Sequence, residues 1–248
     1  MEPARRSAAN PVIAALGTAL TGVAGYVDAV GYLRYFHIFS ANMSGNHIRL
    51  GIALEEATPG EMVVRFLPIV AFGVGVVISE LITHGTTRMR RLHAVAAVWV
   101  LEAAMLAGVA VGDHFVRAKG GASDLVLLAL LALAMGMQNT SLRHMGALSV
   151  YTTHVTGALT AACIDIADGV HALVARHGAA GRGRAGHAGR YFGRASWLLT
   201  LPICYVGGAA AGAAMLAGVN MASLGLPSVI LVVLAVFARA GIRSFKTP

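Results

Sequence analysis

Long apolar runs separated by short polar loops make up most of this chain. Six runs approach or exceed the roughly 20 residues that a helix needs to cross a bilayer. They lie at about 11–33, 62–83, 92–111, 125–142, 195–218 and 224–240. None has the regular polar face of a helix on the surface of a soluble protein. The pattern therefore predicts an all-α polytopic membrane protein with about six transmembrane helices.

Two polar segments interrupt this pattern, and each follows an apolar run. The first contains Asn42-Met43-Ser44-Gly45-Asn46, and the second contains His154-Val155-Thr156-Gly157. Aligning the two segments also brings Asp28 near Asn139, with a one-residue gap. An internal duplication of this kind predicts one membrane domain over residues 1–248, with related halves at 11–112 and 124–240.

The two polar segments also decide how often the chain crosses the membrane. If each is a short broken or re-entrant segment, there are six spans and the halves have opposite orientations; if both cross, there are eight. Loop charges do not separate these schemes, because 14 of the 19 Lys and Arg residues lie on the side of the termini in either one. The positive-inside rule places both termini in the cytoplasm. The polarity of residues 40–49 favours six spans, because Arg49 at a helix centre would cost about 2.5–3.5 kcal/mol.

Composition supports the membrane assignment and excludes a nucleic-acid partner. Hydrophobic residues make up 57% of the chain and charged residues only 12%, whereas soluble domains carry about 25% charged residues. The net charge of +8 comes from Arg and Lys residues in loops rather than on one amphipathic face. The Gly, Ala and Arg-rich stretch 176–194 is expected to be a flexible basic loop.

Two acids inside apolar runs are the first candidates for chemistry. Asp28 lies in the first span and Glu102 near the middle of the third. Carboxyl groups at membrane depth usually face a bundle interior or an aqueous cavity, and they often mark an ion or proton path. The alternatives are that Asp28 is solvated or paired with Arg34, and that Glu102 makes a structural hydrogen bond to a neighbouring helix.

The polar segments suggest a binding site for a second reason. A helix broken inside the membrane leaves backbone groups that protein or a water-lined cavity must satisfy, and free N–H groups at a half-helix N-terminus attract anions. The alternative is a polar contact that only fixes packing. The residues predicted to line a substrate or ion path are Asp28, Asn42, Ser44, Gly45, Asn46, Glu102, Gln138, Asn139, Thr152, Thr153, His154, Thr156 and Gly157.

Other kinds of chemistry find little support in the residue spacing. The ten histidines show no HxxxH, HExxH or CxxC-type arrangement, so we expect no metal site and no cofactor. Ser44-Gly45 lacks the Gly-x-Ser-Gly context and the base of a serine intramembrane protease. We therefore do not expect an enzyme.

Two motif pairs resemble a known family. The first span ends in GYVDAVGYL and precedes ANMSGN, and AMGMQN precedes THVTGALT. This pairing resembles the YoaK family, whose members are bacterial inner-membrane proteins labelled as a domain of unknown function, over roughly residues 12–240. The family more often has Met-Thr-Gly-Asn where this chain has Met43-Ser44-Gly45-Asn46. The resemblance implies a multi-pass protein of the bacterial cytoplasmic membrane and supplies no catalytic or ligand-binding residues.

Together these features predict a transporter or permease of a small solute or ion, with proton coupling as one form of it. Its polar site would lie at the midplane, between the two halves. The alternative is a non-transporting membrane scaffold or assembly protein. The expected partners are the lipid bilayer and an unknown solute or ion, and small-residue helix faces would allow a homodimer.

Overall fold

The computed structural model describes residues 11–84, 88–116, 120–141, 155–174 and 181–244. Every regular element in these ranges is helical, which confirms the prediction of an all-α polytopic membrane protein. In chain order, the helices are α1 (Pro11–Arg34), α2 (Met43–Glu55), α3 (Pro59–Thr83), α4 (Arg88–Phe115), α5 (Ala122–Ser141), α6 (Val155–Val174), α7 (Gly181–Val219) and α8 (Gly225–Ser244), with a 3₁₀ helix (Asn220–Leu224) before α8.

Most of these helices have the length and apolarity of membrane spans. Five stretches of the described residues qualify on both counts: α3, the part of α4 from Leu92, α5, α6, and the continuous stretch Ala188–Arg239 that contains most of α7 and α8. α1 has 24 residues and is also long enough to cross a bilayer. α2 has only 13 residues and is too short.

Arg34, the last residue of α1, fixes which helix ends lie together. Its guanidinium contacts Asp113 near the end of α4 at 2.6 Å and Asp124 near the start of α5 at 3.2 Å. We call this side of the bundle the Arg34 end. Trp99 Nε1 donates to Ser141 Oγ over 2.9 Å, so α4 and α5 are antiparallel along their length. Thus α1 and α4 run toward the Arg34 end, and α5 runs away from it.

α2 begins inside the bundle and ends at the Arg34 side. After α1, the chain reverses through Phe36 and His37, both with positive φ, until the amide of Ala41 reaches the Asp28 carboxylate at 2.7 Å. α2 then runs in the direction of α1, since Arg49 contacts the hydroxyl of Tyr32 at 2.8 Å. The first polar segment is therefore a re-entrant one. α3 follows and runs away from the Arg34 end, because it ends shortly before α4 starts.

α7 lies parallel to α1, and α6 lies antiparallel to α7. Trp197 is close to the Ala14 carbonyl and Tyr205 bonds to Asp28, so residue numbers rise together along α1 and α7. In contrast, Asp165 of α6 contacts Arg194 of α7 at 3.2 Å, and the start of α6 packs on α7 near Leu198 and Leu201.

α6 is long enough to span a membrane, yet its position in the bundle is that of a second re-entrant helix. At this antiparallel register, α6 starts about 15 residues before the end of α7, which is roughly 22 Å at 1.5 Å per residue. It therefore begins within the bundle and leaves on the side opposite Arg34. The segments that contain α2 and α6 thus each reach one side of the bundle only: α2 ends at the Arg34 side, and α6 ends at the opposite side.

α8 completes the bundle by running back along α4. The 3₁₀ helix that precedes it lines the same surface depression as the last turn of α4, and α8 packs on α4, so these two helices are antiparallel. Within the described ranges, six helices cross the bundle (α1, α3, α4, α5, α7 and α8), which agrees with the favoured count. Eight crossings would require α4 and α8 to be parallel.

The two halves of the described chain have opposite orientations and repeat one packing contact. In α1–α7, Gly25 lies against the Tyr205 carbonyl and Gly208 against that of Gly22. Only glycine allows backbones to approach so closely. The counterpart in α5–α3 places Gly136 against the Phe72 carbonyl and Gly75 against that of Leu133. The first helix of each half therefore packs on the third helix of the other half.

One expectation from the sequence differs from this structure. The predicted flexible loop 176–194 is helical from Gly181, where α7 begins; residues 175–180 lie outside the described ranges. Extension of an existing helix avoids the unfavourable nucleation step, and Ala and Arg are good helix formers. The small residues Gly25 and Gly208 of α1 and α7 pack against these two helices within the chain, and a homodimer through other small-residue faces stays a prediction.

Candidate functional site

Asp28 lies within α1, and four donors surround its carboxylate, three of them from the break between α1 and α2. The carboxylate is 2% exposed. Oδ1 accepts hydrogen bonds from the Ala41 amide at 2.7 Å and the Ser40 hydroxyl at 3.2 Å. Oδ2 accepts from the Asn42 amide at 3.1 Å and from the Tyr205 hydroxyl. Arg34, the alternative partner, instead contacts Asp113 and Asp124.

The neighbouring polar residues also build the turn rather than a free binding surface. Asn42 caps α2, with its Oδ1 accepting from the Gly45 amide at 3.4 Å and the Ser44 hydroxyl at 2.8 Å. Asn46 is fully buried and binds both backbone groups of Phe39, at 3.1 and 2.7 Å. The amide groups of Ala41, Asn42 and Gly45, which we expected to attract an anion, are therefore occupied by side chains of the chain itself.

Glu102 and Gln138 form a second group, and unlike Asp28 they lack hydrogen-bond partners among the described residues. Both side chains are fully buried. Neither oxygen of the Glu102 carboxyl and neither polar atom of the Gln138 amide has a hydrogen-bond partner among the described residues. The structural hydrogen bond considered for Glu102 is therefore not found in this part of the chain.

The register of α4 and α5 places Glu102 and Gln138 at the same depth. Trp99 bonds to Ser141, and Gly112 lies against the Leu127 side chain. In an antiparallel pair, the residue three positions after Trp99 lies level with the residue three positions before Ser141. Those residues are Glu102 and Gln138, so the unsatisfied carboxyl and amide share one layer of the membrane interior.

The remaining predicted residues lie in the second half. Asn139 is 6% exposed and follows Gly136 by three residues, as Asp28 follows Gly25. Thr156 and Gly157 are exposed in the first turn of α6. Thr152, Thr153 and His154 lie outside the described residues, so their contacts stay a prediction.

Three residues that sequence reasoning passed over also belong to these groups. Tyr205 bonds to Asp28 from a position 177 residues away, and no local pattern could reveal it. Thr140 and Ser79 are buried, and their hydroxyls have no partner among the described residues. The position of Thr140 directly after Gln138-Asn139 is the only sequence signal for either hydroxyl.

Depressions and metal ligands do not add further members to the site. Two surface depressions, of about 450 and 590 Å³, lie at the Arg34 end, and none of the predicted path residues lines them. Across the described ranges, no three His, Cys, Asp or Glu side chains are grouped so as to hold a metal ion.

Comparison with known proteins gives a family but no activity. A family model described as "Protein of unknown function (DUF1275)" matches residues 16–237. The UPF0700 transmembrane protein YoaK of Bacillus subtilis (strain 168) is 31% identical over 143 residues, which is 58% of this chain and 62% of that protein. The match agrees with the resemblance carried by the two motif pairs. No solved structure matches the chain.

Proposed function

Because the chain belongs to the DUF1275 family, whose description assigns no activity, its own buried groups have to indicate its function, and we propose that it is a permease for a small solute or ion. The described bundle is that of a multi-pass membrane protein. In this proposal, Glu102 and Gln138 form the midplane site, and Glu102 carries a proton during transport.

The single observation that carries this proposal is that the buried polar atoms of Glu102 and Gln138 have no hydrogen-bond partner among the residues that the structure describes. A buried polar group without a partner costs about 1–3 kcal/mol, and an acid at membrane depth costs about 2.5–3.5 kcal/mol on insertion scales. An apolar side chain at either position would avoid this destabilisation. A carboxyl group can carry a proton, and a neighbouring amide can both donate and accept hydrogen bonds, so the pair is suited to a polar solute.

The arrangement of the halves supports a transport cycle of the alternating-access type. Transporters with inverted repeats bind their solute near the midplane, where the repeats meet and helices are broken. Here α4 and α5, which carry Glu102 and Gln138, belong to different halves. The re-entrant helices α2 and α6 end on opposite sides of the bundle. Movement of one half against the other would expose the pair to each side in turn.

We place the protein in the bacterial cytoplasmic membrane, with both termini in the cytoplasm. By the count from the sequence, 14 of the 19 Lys and Arg residues belong to the side of the termini, which the positive-inside rule assigns to the cytoplasm. The Arg34 end then faces outward.

A scaffold or assembly protein is the second candidate, and the Asp28 group favours it. All four donors around Asp28 are used to hold α1, α2 and α7 together, as expected of a group that only fixes packing. If transport required neither Asp28 nor Glu102, the scaffold function would apply to the whole molecule.

The test is a solute-resolved uptake comparison between cells with and without the protein, followed by Glu102→Gln. We expect at least one solute to accumulate differently, and Glu102→Gln to reduce that difference at least about tenfold at unchanged membrane abundance. Glu55→Gln, at an exposed carboxyl of α2, is the matched control and should behave as the unmodified protein. Normal uptake in Glu102→Gln would remove Glu102 from the mechanism, and a loss of abundance alone would support the scaffold.

A further inference from the structure

The face of α4 that carries Glu102 also carries a second polar group at the Arg34 end. Glu102, Leu106, Val109 and Asp113 follow one another at spacings of four, three and four, so they share one face of the helix. Eleven residues separate the two acids, which corresponds to about 16 Å along the axis. Leu106 and Val109, between them, are fully buried.

Asp113 belongs to a cluster that ties three helix ends together. Arg34 contacts Asp113 at 2.6 Å and both oxygens of Asp124 at 3.2 Å. Tyr35 donates to Asp113 at 3.0 Å, and the amide of Gly120 donates to Asp124 at 2.7 Å. With two carboxylates and one guanidinium, the cluster has one excess negative charge. Asp113 also lines the depression of about 450 Å³ between the end of α4 and the 3₁₀ helix.

An apolar layer separates this cluster from Glu102. Leu106 and Val109 are part of one continuous core with residues of α1, α5 and α8, including Val30, Leu131 and Leu231. All of these side chains are buried. As described, the bundle is therefore closed between the depression and Glu102, first by the ion pairs of Arg34 and then by packed hydrophobic side chains.

The charges of the bundle indicate the sign of a solute that could pass this layer. The fully buried charged side chains of the described ranges are all carboxyl groups: Asp28, Glu102, Asp124 and Asp165. The amides at the start of α2, which could have drawn an anion, are occupied by Asp28 and Asn42. A cation would meet acids at both polar layers, whereas between Glu102 and Asp113 an anion would meet no positive side chain of α4.

We propose that the α4 face from Asp113 to Glu102 is a cation path, and that Arg34 together with the Leu106–Val109 layer is its gate at the Arg34 end. Release of Arg34 from Asp113 and Asp124 frees the ends of α1, α4 and α5 to separate, and the path opens to the depression. The inference rests on the proposed function, which supplies Glu102 as the carrier, and on the proposed outward orientation of the Arg34 end.

Thiol accessibility tests the gate without reference to transport. Val109→Cys is introduced into a chain whose Cys163 and Cys204 are replaced by Ser, and a membrane-impermeant cationic thiol reagent is applied from the Arg34 side. We expect little labelling with Arg34 present and at least about fivefold faster labelling after Arg34→Gln. Val111→Cys is the matched control, because Val111 lies on the exposed face of α4; its labelling should not depend on Arg34. Equal labelling of position 109 with and without Arg34 would overturn the gate.

Proton flux into liposomes that contain the purified protein and a pH-sensitive dye tests the path. Arg34→Gln should raise the flux driven by a potassium-valinomycin potential about fivefold, and adding Glu102→Gln should return it to the level of the unmodified protein. If Arg34→Gln raises the flux and adding Glu102→Gln does not lower it again, the cation path is overturned. If Arg34→Gln does not give a single size-exclusion peak, Arg34→Lys serves instead, because an ammonium lacks the planar fork with which the guanidinium binds both oxygens of Asp124; its labelling and flux should rise less.

These outcomes are separable from failure of the proposed function. Solute uptake that does not depend on Glu102 would contradict the permease with Glu102 as carrier, while labelling of Val109→Cys would still report on the gate.

Discussion

Asp28→Asn and Glu102→Gln make the same chemical change at two buried carboxyl groups, yet the structure predicts a large loss of stability for the first and almost none for the second. Asp28 accepts four hydrogen bonds, from two backbone amides and two hydroxyls. An Asn side chain has one oxygen and one NH₂ group, so one backbone amide must face a donor. Glu102 has no partner among the described residues, so its change to Gln breaks no described hydrogen bond.

The size of the Asp28 effect follows from the lost acceptor. An unsatisfied buried amide costs about 1–3 kcal/mol, and the remaining bonds lose the strengthening that a charged acceptor provides. Together these give a loss of about 2–4 kcal/mol in the free energy of unfolding. For a chain of this size, that corresponds to a decrease of roughly 5–15 °C in melting temperature. Tyr205→Phe removes a single donor and should lower the melting temperature by only about 2–4 °C.

The assay is thermal unfolding of the purified protein in detergent, followed by a thiol-reactive dye or by loss of the size-exclusion peak, together with membrane abundance in cells. Asp28→Asn should lower both quantities, and Glu102→Gln should change the melting temperature by less than about 2 °C. The reasoning is refuted if Asp28→Asn melts as the unmodified protein does and abolishes a transport phenotype. In that case Asp28 would be a path residue rather than a structural anchor.

Two further predictions test the packing and the topology. Gly25→Ala should destabilise the protein because the new Cβ would overlap the Tyr205 carbonyl, whereas Gly73→Ala, on an open face of α3, should be neutral or stabilising; equal melting temperatures would contradict the close approach of α1 and α7. Cysteines at the exposed positions His37 and Glu56 should react with an impermeant thiol reagent from the same side of the membrane, and a cysteine at His84 from the other side. Labelling of positions 37 and 56 from opposite sides would show that α2 crosses.

The sequence contained enough information to predict the class of the fold and the location of its first break. The polar run from Ser40 to Arg49 conflicts with a membrane span, and the structure has a re-entrant helix there. Asp28 and Asn139 each follow the close-packing glycine of their helix by three residues, which supports their correspondence; the internal duplication itself stays a prediction. Periodicity and polarity are local properties, and they were sufficient for these features.

What the sequence could not supply depends on contacts between distant helices. Asp28 and Glu102 are both acids within apolar runs, so polarity alone ranks them equally. Their difference comes from Tyr205 and the amides of Ala41 and Asn42, which reach one acid and not the other. Arg34 likewise pairs with Asp113 and Asp124, a choice fixed by how α4 and α5 pack rather than by spacing along the chain.

The exchange of helix partners between the halves has a consequence for how the protein is made. Trp197 and Ala14, which are in contact in the α1–α7 pair, are 183 residues apart. At about 5–20 residues per second, the ribosome therefore needs on the order of 10–40 s after α1 to synthesise α7, the helix on which α1 packs. During that interval the glycine faces of α1 and α3 lie in the bilayer without the helices on which they pack, and they are accessible to insertion factors. Neither half is then a self-sufficient folding unit. Two separately translated fragments, cut between α4 and α5, should accumulate only when they are co-expressed.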